Sequence, residues 1–230
     1  MKKLNQLALG LLAVIFGFGA MSCNDDKVDS QDMFMAFVTY TSSSDDGSVF
    51  TTRENLDQAL VTFTSTAVLS EKDYPLGQRY IIGYTNQSGN RYQSGPINLM
   101  TVMKIINGKI ETATSDAIAK LTETDLNIEL LQREGTYLNI QATGPIQIQP
   151  KKFGLYVDES TVNDKIPQVY VGFETDNTGG YQRTFFASID IAQLWNKAGC
   201  EGLNIHFQVN GVKKEILFQR TMHVQPDPAD

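Results

Sequence analysis

The sequence predicts an all-β protein. Beyond residue 32, apolar side chains recur with a period of two, β-branched and aromatic residues gather in short runs, and Gly, Asn, Asp and Ser divide those runs. A period of two puts alternate side chains on opposite faces, the pattern of antiparallel sheet with one face on a core.

Ahead of the strands, the chain opens on Lys2 and Lys3, an apolar run from Leu7 to Phe18, and small residues at Ala20 and Ser22 before Cys23. The run is shorter than the roughly twenty apolar residues a spanning helix needs, and Asn24-Asp25-Asp26-Lys27 ends it. Residues 1–22 therefore read as a lipoprotein signal peptide, with Cys23 as the acylated first residue of the mature chain. Several acyl chains on one residue hold a membrane far better than one. Residues 23–32 form an acidic tether, and Asn24, Asp25 and Asp26 resemble the export signal that sends some lipoproteins to the outer face of the cell. The expectation is an outer-membrane lipid anchor exposed at the surface, with a periplasm-facing anchor as its competitor.

Strands are expected at Met33 to Thr41, Ser48 to Thr52, Ala59 to Ser65, Arg79 to Thr85 and Leu99 to Ile106, with turns at Asp46-Gly47 and Ser88-Gly89-Asn90. Five strands in so short a stretch fit a small barrel of the OB type. Asn107-Gly108 signals a type I′ hairpin that would set Lys104 opposite Glu111. Between Glu111 and Thr124 the alternation weakens around Ile118 and Leu121 into a short helix or a strand end, and a boundary near Thr122 divides residues 33–122 from 123–230.

The second stretch resumes with runs at Leu126 to Arg133, Thr136 to Ala142, Phe153 to Val157, Gln168 to Glu174, Arg183 to Ile189, Leu203 to Val209 and Val212 to Val224, a count that suits an antiparallel β-sandwich. Asn210-Gly211 is a two-residue turn, so Val209 pairs with Val212, Phe207 with Lys214, Ile205 with Ile216 and Leu203 with Phe218 on a mainly apolar face. The other face carries Gln208 with Lys213, His206 with Glu215 and Asn204 with Leu217, and looks solvated. One short helix follows Asp190 as N-cap, with Ile191, Leu194, Trp195 and Ala198 on its apolar stripe and Gly199 as its stop.

Composition narrows the function. The net charge is −7, and removing residues 1–22 subtracts Lys2 and Lys3 and no acid, giving −9. An acidic body without a basic, aromatic-interleaved stripe argues against nucleic acid as a partner. With Cys23 acylated, Cys200 has no disulfide partner and reads as a buried packing residue. The close-spaced glycines Gly17 and Gly19 lie in the signal and no glycine-rich loop is followed by Lys-Ser or Lys-Thr, so no nucleotide cofactor is implied. Asp25-Asp26 and Asp45-Asp46 fall in tether and turn. His206 opposite Glu215 is the pair nearest to a metal or acid–base site, but two ligands do not make one and a surface ion pair accounts for it. His223 lacks a partner in sequence. The expectation is no catalytic residue, no metal and no enzyme activity. Tyr92, after Gly89-Asn90, and Tyr181, after Gly179-Gly180, are the loop aromatics best placed to bind a glycan.

The chain resembles a NigD-like lipoprotein through Cys23 with its acids, through Gly77-Gln78-Arg79-Tyr80-Ile81-Ile82-Gly83-Tyr84, and through Ser188-Ile189-Asp190 with Gly202-Leu203-Asn204-Ile205. The resemblance implies an N-terminal OB-like domain followed by a C-terminal β-sandwich, and a namesake linked to a bacteriocin gene cluster. It brings no catalytic residue and no cofactor. Together these readings predict a lipid-anchored accessory or binding protein, with a surface glycan-binding module, or a scaffold for a secretion or bacteriocin-related complex, as alternatives.

Overall fold

The computed structural model describes residues 32–53, 58–122, 126–146, 150–175 and 181–220. They form an all-β body of three sheets with two short helices.

The first sheet is built from β1 (Phe34–Ser44), β2 (Gly47–Thr52), β3 (Val61–Ser65), β4 (Arg79–Thr85), β5 (Gly95–Pro96) and β6 (Asn98–Lys104) in the order β5-β3-β2-β1-β4-β6. Its core is aromatic: Tyr40, Tyr80, Tyr84, Phe50 and Phe63 are buried with Val38 and Ile82. Each tyrosine hydroxyl still finds an acceptor, Leu69 O for Tyr40, Pro75 O for Tyr80 and Arg91 O for Tyr84, which removes the cost of burying a phenol. Where five barrel strands are expected, the structure has six strands and no ladder joining the outer strands β5 and β6. Those outer strands are consecutive in the chain, separated by Ile97, whose N–H donates to Thr64 O at 2.8 Å.

The second sheet has the order β7-β13-β10-β9, from β7 (Ile106–Lys109), β13 (Gln182–Asp190), β10 (Tyr137–Pro145) and β9 (Asn127–Glu134). The third has the order β15-β14-β12-β11-β8, from β15 (Val212–Gln219), β14 (Gly202–Val209), β12 (Gln168–Glu174), β11 (Lys152–Asp158) and β8 (Glu111–Ala113). Leu138, Ile140, Ala187 and Ile189 of the second sheet share one core with Leu155, Val157, Val169, Leu203 and Ile205 of the third.

The expected hairpin at Asn107-Gly108 does not form. β7 pairs in parallel with β13 and β8 in parallel with β11, so Lys104 lies opposite Tyr80 and Glu111 opposite Tyr156. Asn107 uses its side chain instead: Oδ1 accepts the Arg79 N–H at 2.7 Å and Nδ2 donates to Arg79 O at 3.0 Å, satisfying backbone groups on β4. The segment 106–113, grouped by sequence with the first stretch, is thereby hydrogen-bonded into the two later sheets.

Helix α1 (Ser115–Leu121) is capped by Thr114, whose Oγ1 accepts the Ala117 N–H at 3.2 Å. It packs where Gly172 leaves room, since a Cβ there would meet the Tyr156 ring at 2.5 Å and Leu121 Cβ at 3.1 Å. Helix α2 (Ala192–Trp195) is one turn long and has Ile191, not the expected Asp190, as its N-cap residue; Asp190 Oδ1 still accepts the Ala192 N–H, Trp195 and Leu194 are buried, and Gly199 takes φ +80°. Ala198 is exposed, off the stripe the sequence assigns it, because the helix ends before reaching it. Cys200 is buried, as expected.

The hairpin β14–β15 has the register read from sequence, with Asn210 and Gly211 at φ +50° and +75°. Its faces differ from expectation. β15 is the outer strand of its sheet, so Val212 and Ile216 stand exposed on the apolar side. His206, expected in solvent, is half-buried against the Tyr170 ring, 4.6 Å between centroids and 15° from parallel.

Candidate functional site

Two features concentrate polar chemistry or concave surface. The first is a buried network between the first and second sheets. On β4, Tyr80, Ile82 and Tyr84 enter the aromatic core, so alternation sends Arg79 and Ile81 the other way, toward the second sheet. There Arg79 is 2% exposed and meets Glu134, 6% exposed. Arg79 Nη2 donates to Glu134 Oε2 at 2.5 Å and Nη1 to Oε1 at 3.2 Å, a fork-to-fork pair. Arg79 Nε donates to Ser188 Oγ at 3.1 Å, and the Tyr137 ring lies 4.6 Å from the guanidinium carbon. Thr52 Oγ1, the Arg53 N–H and Asn139 Nδ2 complete the carboxylate, each within 3.0 Å. Both carboxylate oxygens and most donors are already used by the protein, so this grouping ties sheets together.

Sequence reasoning missed it. Part of the signal was present: Arg79 lies within, and Ser188 opens, segments that carry the family resemblance, and Asn139 falls on the polar phase of the Leu138-Ile140-Ala142 alternation, at a position that strand pairing sets beside Ser188. What sequence alone lacks is the contact between residues 55 apart in the chain.

The second feature is a cleft in the third sheet. β12 and β14 run parallel and pair through Gln168–Asn204, Val169–Ile205 and Tyr170–His206, where the ladder stops. β12 continues to Glu174 and β14 to Val209, while β14 stays paired with β15 to the turn. The hairpin tip instead reaches β9, the Asn210 N–H donating to Asn127 Oδ1 at 3.1 Å. The strands therefore part, and a cavity of about 100 Å³ opens between them. Its walls are Leu121, Leu126, Val171, Phe173 and Phe207; Tyr170, His206, Gln208, Lys213 and Lys214 also line it.

At the closed end, His206 Nε2 lies 2.7 Å from Gln168 Oε1 and Nδ1 3.5 Å from Glu215 Oε2, while Asn204 Nδ2 donates to both Gln168 Oε1 and Glu215 Oε2. The neighbours of His206 are thus one carboxylate and two amides, and among the described residues no three His, Cys, Asp or Glu converge as metal ligands. Burial, reinforced by Asp158, raises the Tyr170 phenol above its ordinary value.

Gln208 is the unusual member. Its Nε2 donates to Thr122 O at 2.9 Å, and since a carbonyl only accepts, this fixes which amide atom is nitrogen. The remaining Oε1 is buried without a hydrogen-bond partner among the described residues, a state that costs about 1–3 kcal/mol.

Of the residues singled out by sequence, Tyr92 is half-buried against the aromatic core with Arg91 5.1 Å from its ring centroid. Tyr181 is 83% exposed beside the start of β13. Neither lines the cleft. Cys23 and His223 lie outside the described residues. Among those residues no helix is long and apolar enough to cross a membrane.

Fold and cleft define a three-sheet β protein built around a buried polar tie and one splayed sheet. That fold is shared with solved proteins from Bacteroides species. A protein of unknown function from Bacteroides vulgatus superimposes with a TM-score of 0.64 at 15% identity, covering 86% of this chain and 96% of that one. A NigD-like immunity protein from Bacteroides caccae does so with a TM-score of 0.54 at 12% identity, covering 82% and 94%. A provisionally assigned lipoprotein from Bacteroides fragilis gives 0.56 at 12%, covering 82% and 98%. At these identities the likeness is one of fold. No protein-family model matches the chain, and no curated protein matches it significantly.

Proposed function

We propose that this chain is a NigD-like lipoprotein that works as a non-enzymatic accessory or binding module, held at the outer membrane by acyl chains on Cys23 and facing the cell surface. The observation that carries the binding reading is the division of labour in the body. The buried Arg79–Glu134 ion pair is filled by its own neighbours, while the cleft between β12 and β14 offers apolar walls and polar groups with capacity to spare. The likeness to a lipoprotein and to an immunity protein supports the anchored, accessory reading. In this reading the first sheet is an OB-like barrel left open between β5 and β6, and the second and third sheets are the sandwich.

Intact-mass analysis of the protein from native envelopes tests the anchor. A mature chain beginning at an acylated Cys23, lost to the soluble fraction in Cys23→Ser, is expected; an unmodified thiol or a retained leader overturns it. Crosslinking on intact cells tests the role of scaffold in a bacteriocin-related complex, for which one dominant protein adduct is expected. Tyr181, with most of its ring in solvent, favours glycan binding as a second reading. Retention on a polysaccharide panel that falls in Tyr181→Ala would support it, and no retention across the panel would remove it.

A further inference from the structure

We propose that the cleft between β12 and β14 binds a small amphipathic acid: one apolar ring or short chain, carrying an N–H or O–H donor and a carboxylate. The inference rests on the binding-module reading and gives it a ligand class.

Three observations set that class. The cavity, about 100 Å³ between Leu121, Leu126, Val171, Phe173 and Phe207, is smaller than the apolar cavity of about 150 Å³ that admits benzene, so it takes a short apolar chain or a ring seated partly in its open mouth. Gln208 Oε1 is sealed from solvent and needs a donor that no described residue supplies, and a ligand N–H or O–H that meets it as the amide turns toward the opening would satisfy an acceptor already stripped of water. Lys213 and Lys214 line the same cavity, and neither has a carboxylate at ion-pair distance among the described residues. In a chain of net charge −7, these two cations, on opposite faces of β15 at the rim of an apolar opening, complement an anion. A bare hydrocarbon leaves the Gln208 acceptor and the lysines unused, and a phosphorylated polar ligand leaves the walls unused.

Calorimetric titration of the full chain in detergent with 4-hydroxyphenylacetate reads the site. Saturable binding at one site is expected. Replacing the ligand's carboxylate by its amide is expected to weaken binding about tenfold, as is Lys213→Glu/Lys214→Glu, whose exposed strand positions leave the fold unchanged by circular dichroism. Phenylacetate, which lacks the phenol donor, is expected to bind about fivefold more weakly to the native chain and equally well in Gln208→Leu, because the donor matters only while its acceptor is present. Leu121→Phe, which fills the cavity, is expected to abolish binding. Absence of saturable binding, equal affinity for acid and amide, or unchanged binding in Leu121→Phe would each overturn the proposal. None of these results bears on the anchor, which intact mass reads separately.

Discussion

Arg79 and Glu134 are each nearly sealed from solvent and each is the other's main counter-charge. Removing one member leaves an unpaired charge in a nearly sealed site, a loss of about 3–5 kcal/mol. Glu134→Gln and Arg79→Met are each expected to lower urea-unfolding stability by that order, and Arg79→Met/Glu134→Leu to cost clearly less than their sum. Additivity within about 0.5 kcal/mol would show that the pair is not coupled. Tyrosines give the residue-scale pH dependence. Burial is the leading cause that raises the phenols of Tyr80, Tyr84 and Tyr156 above 10.0. A raised folded pKa means the neutral phenol is favoured in the fold, so this stabilisation is complete below pH 10 and is lost as pH climbs above it. Each phenol that ionises only in the unfolded chain contributes a slope of about 1.4 kcal/mol per pH unit. Unfolding stability measured from pH 9 to 11 should fall steeply, and less steeply in Tyr84→Phe. An identical slope in that variant would contradict the assignment.

At the scale of elements, much was legible because it is local. Arg79–Thr85 and Gln168–Glu174 coincide with the expected strands to the residue, and the β14–β15 register follows from a turn whose two residues must take positive φ. Asn107-Gly108 carries the same dipeptide and does something else, because parallel pairing to β13, some eighty residues away, outcompetes a local turn. No short-range pattern encodes that choice. The two Asn-Gly sites consequently separate by mutation. At Asn107 the side chain makes two hydrogen bonds to the β4 backbone, so Asn107→Ala strands a buried donor and acceptor and is expected to cost about 1–3 kcal/mol. Asn107→Asp keeps the acceptor but loses the donor to Arg79 O and should also destabilise. Asn210→Gly merely exchanges one residue tolerant of positive φ for another and should change stability by under about 1 kcal/mol. Chemical denaturation of the three variants checks the order. A costless Asn107→Ala would return that site to the role of a simple turn. The cleft was illegible for a related reason: Tyr170 and His206 mark where a parallel ladder ends, and strand separation is a tertiary event with no sequence period.

For the molecule as a whole, the question is whether two chemically different cores melt together. The first sheet encloses tyrosine and phenylalanine, whereas the chain's lone tryptophan, Trp195, is buried in the core of the second and third sheets beneath Arg133, 4.0 Å from its ring centroid. The two cores meet at the Arg79 network and at Phe37, whose ring stands edge-on to Phe186 at 6.4 Å. That junction is polar at its centre, and a polar tie differs from an apolar one in being directional: it holds only while sheet registry holds. Residues 32–230 form one compact unit, so a single transition is the expected behaviour. Tyrosine near-UV dichroism is then weighted toward the first core, where Tyr40, Tyr80 and Tyr84 are fully buried, with Tyr156 of the third sheet as a minor contributor, and Trp195 emission reports the second. In the native chain the two unfolding curves should coincide. In Arg79→Met the tie is cut without emptying either core, so the tyrosine curve should shift to lower denaturant by more than the tryptophan curve. Curves that remain superimposed in Arg79→Met would mean that cooperativity runs through β7 and the Phe37–Phe186 contact rather than through the buried charges.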